Sequence, residues 1–152
     1  MSESIDAAPI LNANLDGWCS ANGLRFLRAT ASGVSAEWTV GPQQLQAYGI
    51  VHGGVHCGVI ETLTSVGAAV FASARGQTVV GLENHTSFIR AVRAGEKLAA
   101  EAHPITRGRS TQVWEATITN AEGKTVATGR VRLLCLEPGT VVAGEAPRAG
   151  LG

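Results

Sequence analysis

An apolar segment at residues 55–74 constrains the fold of this chain more than any other feature. It holds His56, Glu61, four Ser or Thr residues and two glycines, a composition that suits a helix buried in a protein better than a membrane span. Its larger aliphatic residues include Val59, Leu63, Val66 and Val70. Their spacings of four, three and four form one stripe of an α-helix. Because small residues fill most other positions, this helix must be wrapped by neighbouring elements.

Strand patterns with a period of two lie on both sides of the predicted helix. Two strands are predicted within residues 23–40, and four more at residues 78–88, 96–105, 110–119 and 124–136. Pro104 is expected at a sheet edge or a bulge. The short connections favour consecutive strands as antiparallel neighbours. The sequence therefore predicts an α+β fold, in which a curved antiparallel β-sheet wraps around one long central helix.

Length and charge narrow the domain organisation and the partners. The 152 residues suit one domain, with 1–22 as an N-terminal segment, 23–136 as the domain and 137–152 as a flexible C-terminal tail. Twelve basic residues balance twelve acidic ones, which argues against nucleic acid or a membrane surface as a partner. Three scattered cysteines and the lack of a signal-like start predict a reduced, cytoplasmic protein.

A histidine and two glycines, His52, Gly53 and Gly54, stand just before the helix, and Glu61 follows eight residues after Gly53. Unpaired N–H groups at a helix N-terminus favour negative charge, and glycines let a carbonyl oxygen approach them closely. A buried acid is costly unless it is paired or takes part in chemistry. The residues alone leave three further interpretations open: an ion pair for Glu61, a plain glycine turn, and a metal site that uses His52 and His56.

The order of elements, together with the stretch HGGVHCGVIE at residues 52–61, resembles the hotdog-fold acyl-CoA thioesterases. The resemblance is strongest to the branch that includes phenylacetate-pathway thioesterases and one type of 4-hydroxybenzoyl-CoA thioesterase. It covers residues 33–136 and is supported by NHTSFIRAV at residues 84–92 and GRST at residues 108–111. It implies a hotdog fold, hydrolysis of an acyl-CoA thioester, no metal, no cofactor beyond the substrate's own coenzyme A, and a homo-oligomer (a dimer or tetramer) with active sites between subunits.

The resemblance also implies roles for particular residues. Glu61 would be the nucleophile or general base, and the Gly53 N–H would polarise the thioester carbonyl. Gln46 would lie near the reacting group, Ser65 would orient the water or the acid, and His52 would brace the loop. The residues expected to contact the acyl-CoA are Gly54, Asn84, His85, Thr86, Ser87, Arg90, Arg107, Arg109, Ser110 and Thr111, with the arginines on the phosphates.

Helix geometry adds one inference about assembly. Eight residues separate Gly53 from Glu61, which places them about 12 Å apart along the helix axis. That is too far for both to contact one thioester, so we expect the two groups of each active site to come from different subunits. The chain could instead be a non-catalytic acyl-CoA-binding hotdog module. A hotdog dehydratase fits less well, because that reaction usually needs an Asp/His pair and the only aspartates are Asp6 and Asp16.

Overall fold

The fold is one six-stranded antiparallel sheet that curves around a single long helix. The structure is a computed structural model and describes residues 5–15 and 17–147. The helices are α1 (Ala8–Ala13), α2 (Gly17–Ala21) and α3 (Gly53–Ser73). The strands are β1 (Arg25–Thr30), β2 (Gly33–Thr39), β3 (Thr78–Phe88), β4 (Lys97–Arg107), β5 (Thr111–Asn120) and β6 (Thr125–Leu136). The predicted order of two strands, one long helix and four strands is confirmed, as is the α+β class.

Helix α3 begins and ends where the sequence provides for it. His52 is the N-cap residue, and Gly76 beyond the C-terminus has a φ of +66°, a left-handed conformation that glycine adopts without strain. By length and composition α3 could cross a membrane, but half of its most apolar 18-residue stretch is buried inside the protein. The helix buries Val59, Ile60, Leu63 and Val70 among other residues, so it forms the centre of the core as predicted.

Close approach between α3 and the sheet depends on a glycine under a tryptophan. Trp114 on β5 is fully buried, and its indole N–H donates to the Gln112 side chain over 2.9 Å. A Cβ placed on Gly67 would lie 2.5 Å from the Trp114 ring, well inside van der Waals contact. The large indole fits the core because this helix position carries no side chain.

His56 is a buried polar residue on the core side of α3. Only 3% of its surface is exposed, and its Nδ1 has no hydrogen-bond partner among the described residues. The ring of Phe88 lies 6.3 Å from the His56 ring, centroid to centroid. Burial lowers the pKa of His56 below its ordinary value, because the charged imidazolium loses its hydration there.

The sheet order differs from the expectation that β3 and β4 are neighbours. The strands lie in the order β1-β2-β4-β5-β6-β3, so β3 pairs with β6 at one edge and β4 pairs with β2 and β5. Of the four strands after α3, β4, β5 and β6 are joined by consecutive hairpins, and β1 and β2 form a separate hairpin before the helix. The connection between β3 and β4 turns into the core at Val92, which accepts a hydrogen bond from the Val51 N–H just before α3. This anchor near the helix N-terminus carries the chain away from the β3 edge.

Pro104 lies at a bulge, as the sequence predicts. The β4–β5 register shifts between Pro104 and Thr106, and the pairing of β4 with β2 ends at Ala102. The missing proline N–H therefore costs no ladder hydrogen bond on that side.

The N-terminal segment packs on strand β1. One Asp6 oxygen accepts hydrogen bonds from the backbone N–H groups of Ala8 and Ala29, and the Asn12 side chain both donates to and accepts from the Phe26 backbone. In the C-terminal segment an isolated bridge joins Val142 to Glu145. Residues 1–4 and 16 of the predicted N-terminal segment, and 148–152 of the predicted tail, lie outside the described residues.

Replacement of Gly67 tests the packing of α3 on the sheet. A glycine-to-alanine change inside a helix normally stabilises a protein by roughly 0.5–1 kcal/mol. For Gly67→Ala we expect the opposite, a loss of about 1–3 kcal/mol in the free energy of unfolding, because the new methyl group overlaps Trp114. Urea unfolding measures it, and the double variant with Trp114→Phe should recover part of the loss. A stabilised Gly67→Ala protein would contradict this packing.

The buried His56 predicts how stability depends on pH. Its lowered pKa means that, below the ordinary value of 6.5, the unfolded chain binds a proton that the folded protein binds less readily. Stability from this group is therefore fully present above that pH and is lost as the pH falls. We expect the urea midpoint to drop between about pH 7.5 and about pH 5.5, and to drop less in His56→Leu. Equal drops in the two proteins would remove His56 as the cause.

Candidate functional site

The N-terminus of α3 has one backbone N–H group capped and its neighbour free. The Gly54 N–H donates to Nδ1 of His52 over 2.8 Å, and the Val55 N–H donates to the His52 carbonyl over 2.9 Å. Among the described residues, no acceptor is bonded to the Gly53 N–H. His52 therefore caps the helix, in keeping with its expected bracing role, and leaves the N–H of Gly53 available to an external oxygen.

Gly53 also has a packing requirement. A Cβ at this position would lie 2.8 Å from the tip of the Phe88 ring, which is itself 59% exposed. The plain interpretation of this glycine as a tight-packing residue therefore holds beside the chemical one. Both follow from the lack of a side chain, and they concern different atoms of the residue.

Glu61 lies half-buried on α3 and is held by strand β3. Its Oε2 accepts a hydrogen bond of 3.0 Å from the Asn84 side-chain amide. Its Oε1 lies against Gly81, where a Cβ could not fit. Glu61 forms no ion pair with any described Lys, Arg or His of this subunit.

The two residues expected to orient the reactants, Gln46 and Ser65, lie before Gly53 and after Glu61 in the chain. Ser65 is one turn after Glu61 on the same helix face, and its hydroxyl bonds to no other described residue. Gln46 lies in the loop before α3, where its side-chain oxygen accepts the Tyr48 N–H over 3.1 Å and its backbone N–H donates to Ile50. The Ser65 hydroxyl is thus free to bind water, whereas the side-chain oxygen of Gln46 already accepts a hydrogen bond from the Tyr48 N–H.

Strand geometry divides the run from Asn84 to Ser87 between two faces of the sheet. Asn84 faces α3 and bonds to it, and the Thr86 hydroxyl donates to the Asn84 side chain on the same face. His85 and Ser87 alternate to the outer face, where both line a shallow groove. The structure therefore does not bring these four expected acyl-CoA contacts into one pocket of this subunit.

The outer face around His85 is charged. His85 is hydrogen-bonded to Glu83 over 2.5 Å, and Arg132 on β6 reaches the same carboxylate over 3.2 Å. His85 first, and then Arg132, lower the pKa of Glu83 below its ordinary value. With Val113 and Arg130, these residues line an open groove of about 550 Å³.

The three expected phosphate-binding arginines are exposed, and two of them already have contacts. A guanidinium nitrogen of Arg107 donates over 2.7 Å to a backbone carbonyl in the turn after β1, and its guanidinium lies 4.9 Å from the Phe71 ring centre. Arg109 lies 3.7 Å from the carboxylate of Glu137. Arg90 follows the end of β3 and is exposed. The arginines therefore do not converge on one point of the subunit.

Ser110 and Thr111 are exposed at the turn into β5. Sheet register relates this turn to Glu61, because Gln112 pairs with Leu133 and Leu133 pairs with Gly81, the residue against the Glu61 carboxylate. Two strand spacings, or about 10 Å, therefore separate the start of β5 from Gly81. The turn at Ser110 and Thr111 therefore lies at the same position along the strand direction as Glu61, but the two do not line one pocket.

The metal interpretation does not fit this geometry. His52 uses Nδ1 to cap the helix, and His56 is buried on a face about 140° away from Glu61 around the helix axis. Among residues 5–15 and 17–147, no cluster of three His, Cys, Asp or Glu side chains is arranged to hold a metal ion.

Several contacts of the site were not predicted from the sequence. The carboxylate of Glu61 lies against Gly81, which the pattern of β3 only marks as a strand residue. Asn84 was expected to contact the acyl-CoA, and within the subunit it binds the Glu61 carboxylate. Trp18 on α2 covers Gly58, where a Cβ would lie 2.4 Å from the indole ring. The glycine-rich face of α3 was a visible signal that something large packs there, but no local pattern named Trp18.

Comparison with known proteins identifies the family to which the chain belongs. Residues 48–127 match the model of the family described as Thioesterase superfamily. An esterase of Mycobacterium tuberculosis is 38% identical over 90% of this chain and 98% of its own length. Its solved structure superposes with a TM-score of 0.77, covering 81% of this chain and 98% of that one.

Two further relatives carry more specific names. A solved thioesterase of Haemophilus influenzae is 30% identical, with a TM-score of 0.80 over 88% of this chain and 92% of its own. The Arabidopsis thaliana protein named 1,4-dihydroxy-2-naphthoyl-CoA thioesterase 2 is 31% identical over 74% of this chain and 75% of its own length. The predicted family, fold and enzyme class are confirmed: the chain belongs to the thioesterase superfamily and is a thioester hydrolase with the hotdog fold.

Proposed function

We propose that this protein hydrolyses an acyl-CoA thioester to the free acid and coenzyme A. The observation that carries the proposal is the geometry of α3, which offers a free N–H at Gly53 and a carboxylate at Glu61 held in place by β3. No cofactor beyond the substrate's own coenzyme A is required, and the expected location is the cytoplasm.

The Gly53 N–H would polarise the thioester carbonyl. The tetrahedral intermediate places a negative charge on that oxygen, and a helix N-terminus with a free N–H stabilises such a charge. The absence of a side chain at Gly53 and Gly54 lets the carbonyl approach. One donor of this kind is worth about 2.7–4 kcal/mol of transition-state stabilisation.

Glu61 would supply the attack. As general base it would take a proton from water while the water oxygen bonds to the carbonyl carbon, and the C–S bond then breaks to release the coenzyme A thiolate. As nucleophile its carboxylate would form an anhydride with the acyl group, which water then hydrolyses. Ser65 and Gln46 would orient the water and the thioester, and a thiolate leaving group needs no strong general acid.

Each site would be completed by a second subunit. The eight residues between Gly53 and Glu61 span about 12 Å of helix, so one thioester cannot touch both groups of one chain. In a two-fold dimer, the start of one α3 would face the Glu61 of the other. We propose such a dimer, further paired into a tetramer. The dispersed arginines at 90, 107 and 109, with His85, Ser87, Ser110 and Thr111, would then meet the coenzyme A from more than one subunit.

An aromatic acyl group is the substrate class that the surroundings of Glu61 favour. Trp18 lies on Gly58, three residues before the acid, and offers an aromatic wall beside it. The name of the Arabidopsis relative also specifies an aromatic acyl-CoA. A dehydratase is less compatible with the described residues, because Asp6 is engaged with backbone N–H groups near β1 and Asp16 lies outside them.

The first test is a thiol-release assay on wild type and Glu61→Gln. We expect wild type to release coenzyme A from aryl-CoA thioesters faster than from short- or long-chain aliphatic ones. Glu61→Gln should lower kcat by about 10²–10⁴, because the amide keeps the shape of the side chain but neither accepts a proton nor attacks.

Glu101→Gln, an exposed change on β4, serves as the control and should retain wild-type rates. Equal rates for wild type and Glu61→Gln on every substrate would remove Glu61 from the mechanism. Saturable acyl-CoA binding without turnover of any thioester would indicate a binding module.

The second test asks first whether the Gly53 N–H takes part in catalysis, and then whether one site uses two subunits. Gly53→Pro removes the N–H at the first helical position, where proline is tolerated, and Gly53→Ala adds a Cβ but keeps the N–H. If the N–H acts, kcat should be about 10²–10³ lower in Gly53→Pro than in Gly53→Ala.

Inactive Gly53→Pro and Glu61→Gln subunits are then unfolded, mixed and refolded together. A mixed dimer rebuilds one intact site from the unaltered Glu61 of one chain and the unaltered Gly53 of the other. Random pairing should restore about a quarter of wild-type activity per subunit. No recovery, despite mixed dimers seen by mass spectrometry, would place both groups of each site in one chain.

A further inference from the structure

We propose that Asn84 is a positioning residue for the attacking carboxylate, and that a β-bulge at Leu82 brings it there. The proposal rests on the function proposed for Glu61 and names the groups that orient its side chain. Asn84 was expected on sequence grounds to contact the acyl-CoA, and its contacts within the subunit assign it this different task.

Among the residues that the structure describes, the amide of Asn84 donates only to groups on α3. Its Nδ2 bonds to Oε2 of Glu61 over 3.0 Å and to the Cys57 carbonyl over 3.2 Å. Both partners are acceptors, so the NH₂ group must face the helix and the carbonyl must face away. The Asn84 side chain therefore bridges two successive turns of α3, and it fixes the carboxylate relative to the helix backbone.

Thr86 sets the orientation of that amide. Its hydroxyl donates to Oδ1 of Asn84 over 2.7 Å. A rotation of the amide by half a turn would place Oδ1 against the Glu61 carboxylate and the Cys57 carbonyl, which cannot donate to it. The hydroxyl of Thr86 stabilises the productive orientation, and the three side chains form one chain of hydrogen bonds that ends at Glu61.

The bulge decides which side chain of β3 meets the acid. Gly81 pairs with Leu133 and Glu83 pairs with Arg132, so β3 uses two residue steps where β6 uses one, and Leu82 is the extra residue. If residues 81–84 alternated regularly, with no bulge, Glu83 would turn towards α3, where its carboxylate and that of Glu61 would repel each other. With the bulge, Glu83 points outwards to Arg132 and Asn84 points inwards.

Two glycines make room for this chain of hydrogen bonds. A Cβ on Gly81 could not fit beside Oε1 of Glu61, and a Cβ on Gly129 would lie 2.9 Å from the Thr86 hydroxyl. Gly129 is the β6 partner of Thr86 in the register. The carboxylate and the hydroxyl at the two ends of the chain therefore each lie over a position that lacks a side chain.

The chemical consequence is a carboxylate that is held in one orientation. A fixed rotamer shortens the search for the attacking geometry. The titratable neighbours on the described elements are few. Cys57 lies one turn before Glu61 on α3, and Glu83, Arg130 and Arg132 point to the opposite face of the sheet.

Four variants test the proposal. Asn84→Asp keeps the shape but replaces the donor with a second carboxylate. Thr86→Val removes only the hydroxyl, and Thr86→Ser restores it. Thr39→Val is the matched control, since it makes the same change at an exposed position on β2. The readouts are kcat and KM, and the carbon-13 NMR signal of the Glu61 carboxyl group at a fixed pH, which Glu61→Gln identifies by its loss.

We expect Asn84→Asp to move the Glu61 carboxyl signal away from its wild-type position, because the donated hydrogen bond is lost, and to lower kcat by about a hundredfold or more. Thr86→Val should move the signal by less and lower kcat by about tenfold to a hundredfold, with KM little changed. Thr86→Ser and Thr39→Val should match wild type. If Asn84→Asp fails to fold, the Thr86 pair carries the test alone.

The NMR signal separates this proposal from the proposed function. A Glu61 carboxyl signal that stays at the wild-type position in both Asn84→Asp and Thr86→Val would overturn the positioning role, even if Glu61→Gln abolishes hydrolysis. A signal that moves in a protein that hydrolyses no thioester would support the positioning of the carboxylate and refute the function proposed for it. A loss of kcat in Thr86→Val that Thr86→Ser does not restore would also overturn the role.

Discussion

The need to bury one helix that is apolar round most of its circumference governs the rest of this structure. A single sheet covers such a helix only if it curves and approaches closely, and close approach requires small side chains at the contact. Gly67 under Trp114 shows the arrangement, since a fully buried tryptophan lies where the helix has no side chain. The abundance of Gly, Ala and Val in the chain follows from this geometry, because larger side chains would hold the helix and the sheet apart.

The acid on that helix is tolerated because the sheet supplies its partner. Strand β3 lies at the sheet edge and gives Glu61 a bare backbone at Gly81 and an amide at Asn84 in place of a cation. An amide fixes the carboxylate without pairing it with a positive charge. An arginine there would form a stable ion pair and compete with the chemistry proposed for Glu61.

Local patterns and long-range arrangement differed in how far they could be predicted. The helix, the strand order along the chain and the bulge at Pro104 all depend on neighbouring residues, and the structure confirms them. The neighbours of β3 could not be predicted, because an eight-residue connection leaves its direction open and the anchor at Val92 becomes visible only in three dimensions. The run from Asn84 to Ser87 splits between two faces for the elementary reason that strand residues alternate.

The sequence by itself determined the wrapped helix, the glycine pair at its start and an acid eight residues beyond Gly53, since these depend on periodicity and spacing along one element. Only the tertiary structure decided what the acid meets. Compared with regular alternation, the bulge at Leu82 reverses the faces of the rest of β3. It places the amide of Asn84, and not the carboxylate of Glu83, beside Glu61. A bulge of this kind depends on the register of two strands that are distant in the chain, which no local pattern specifies.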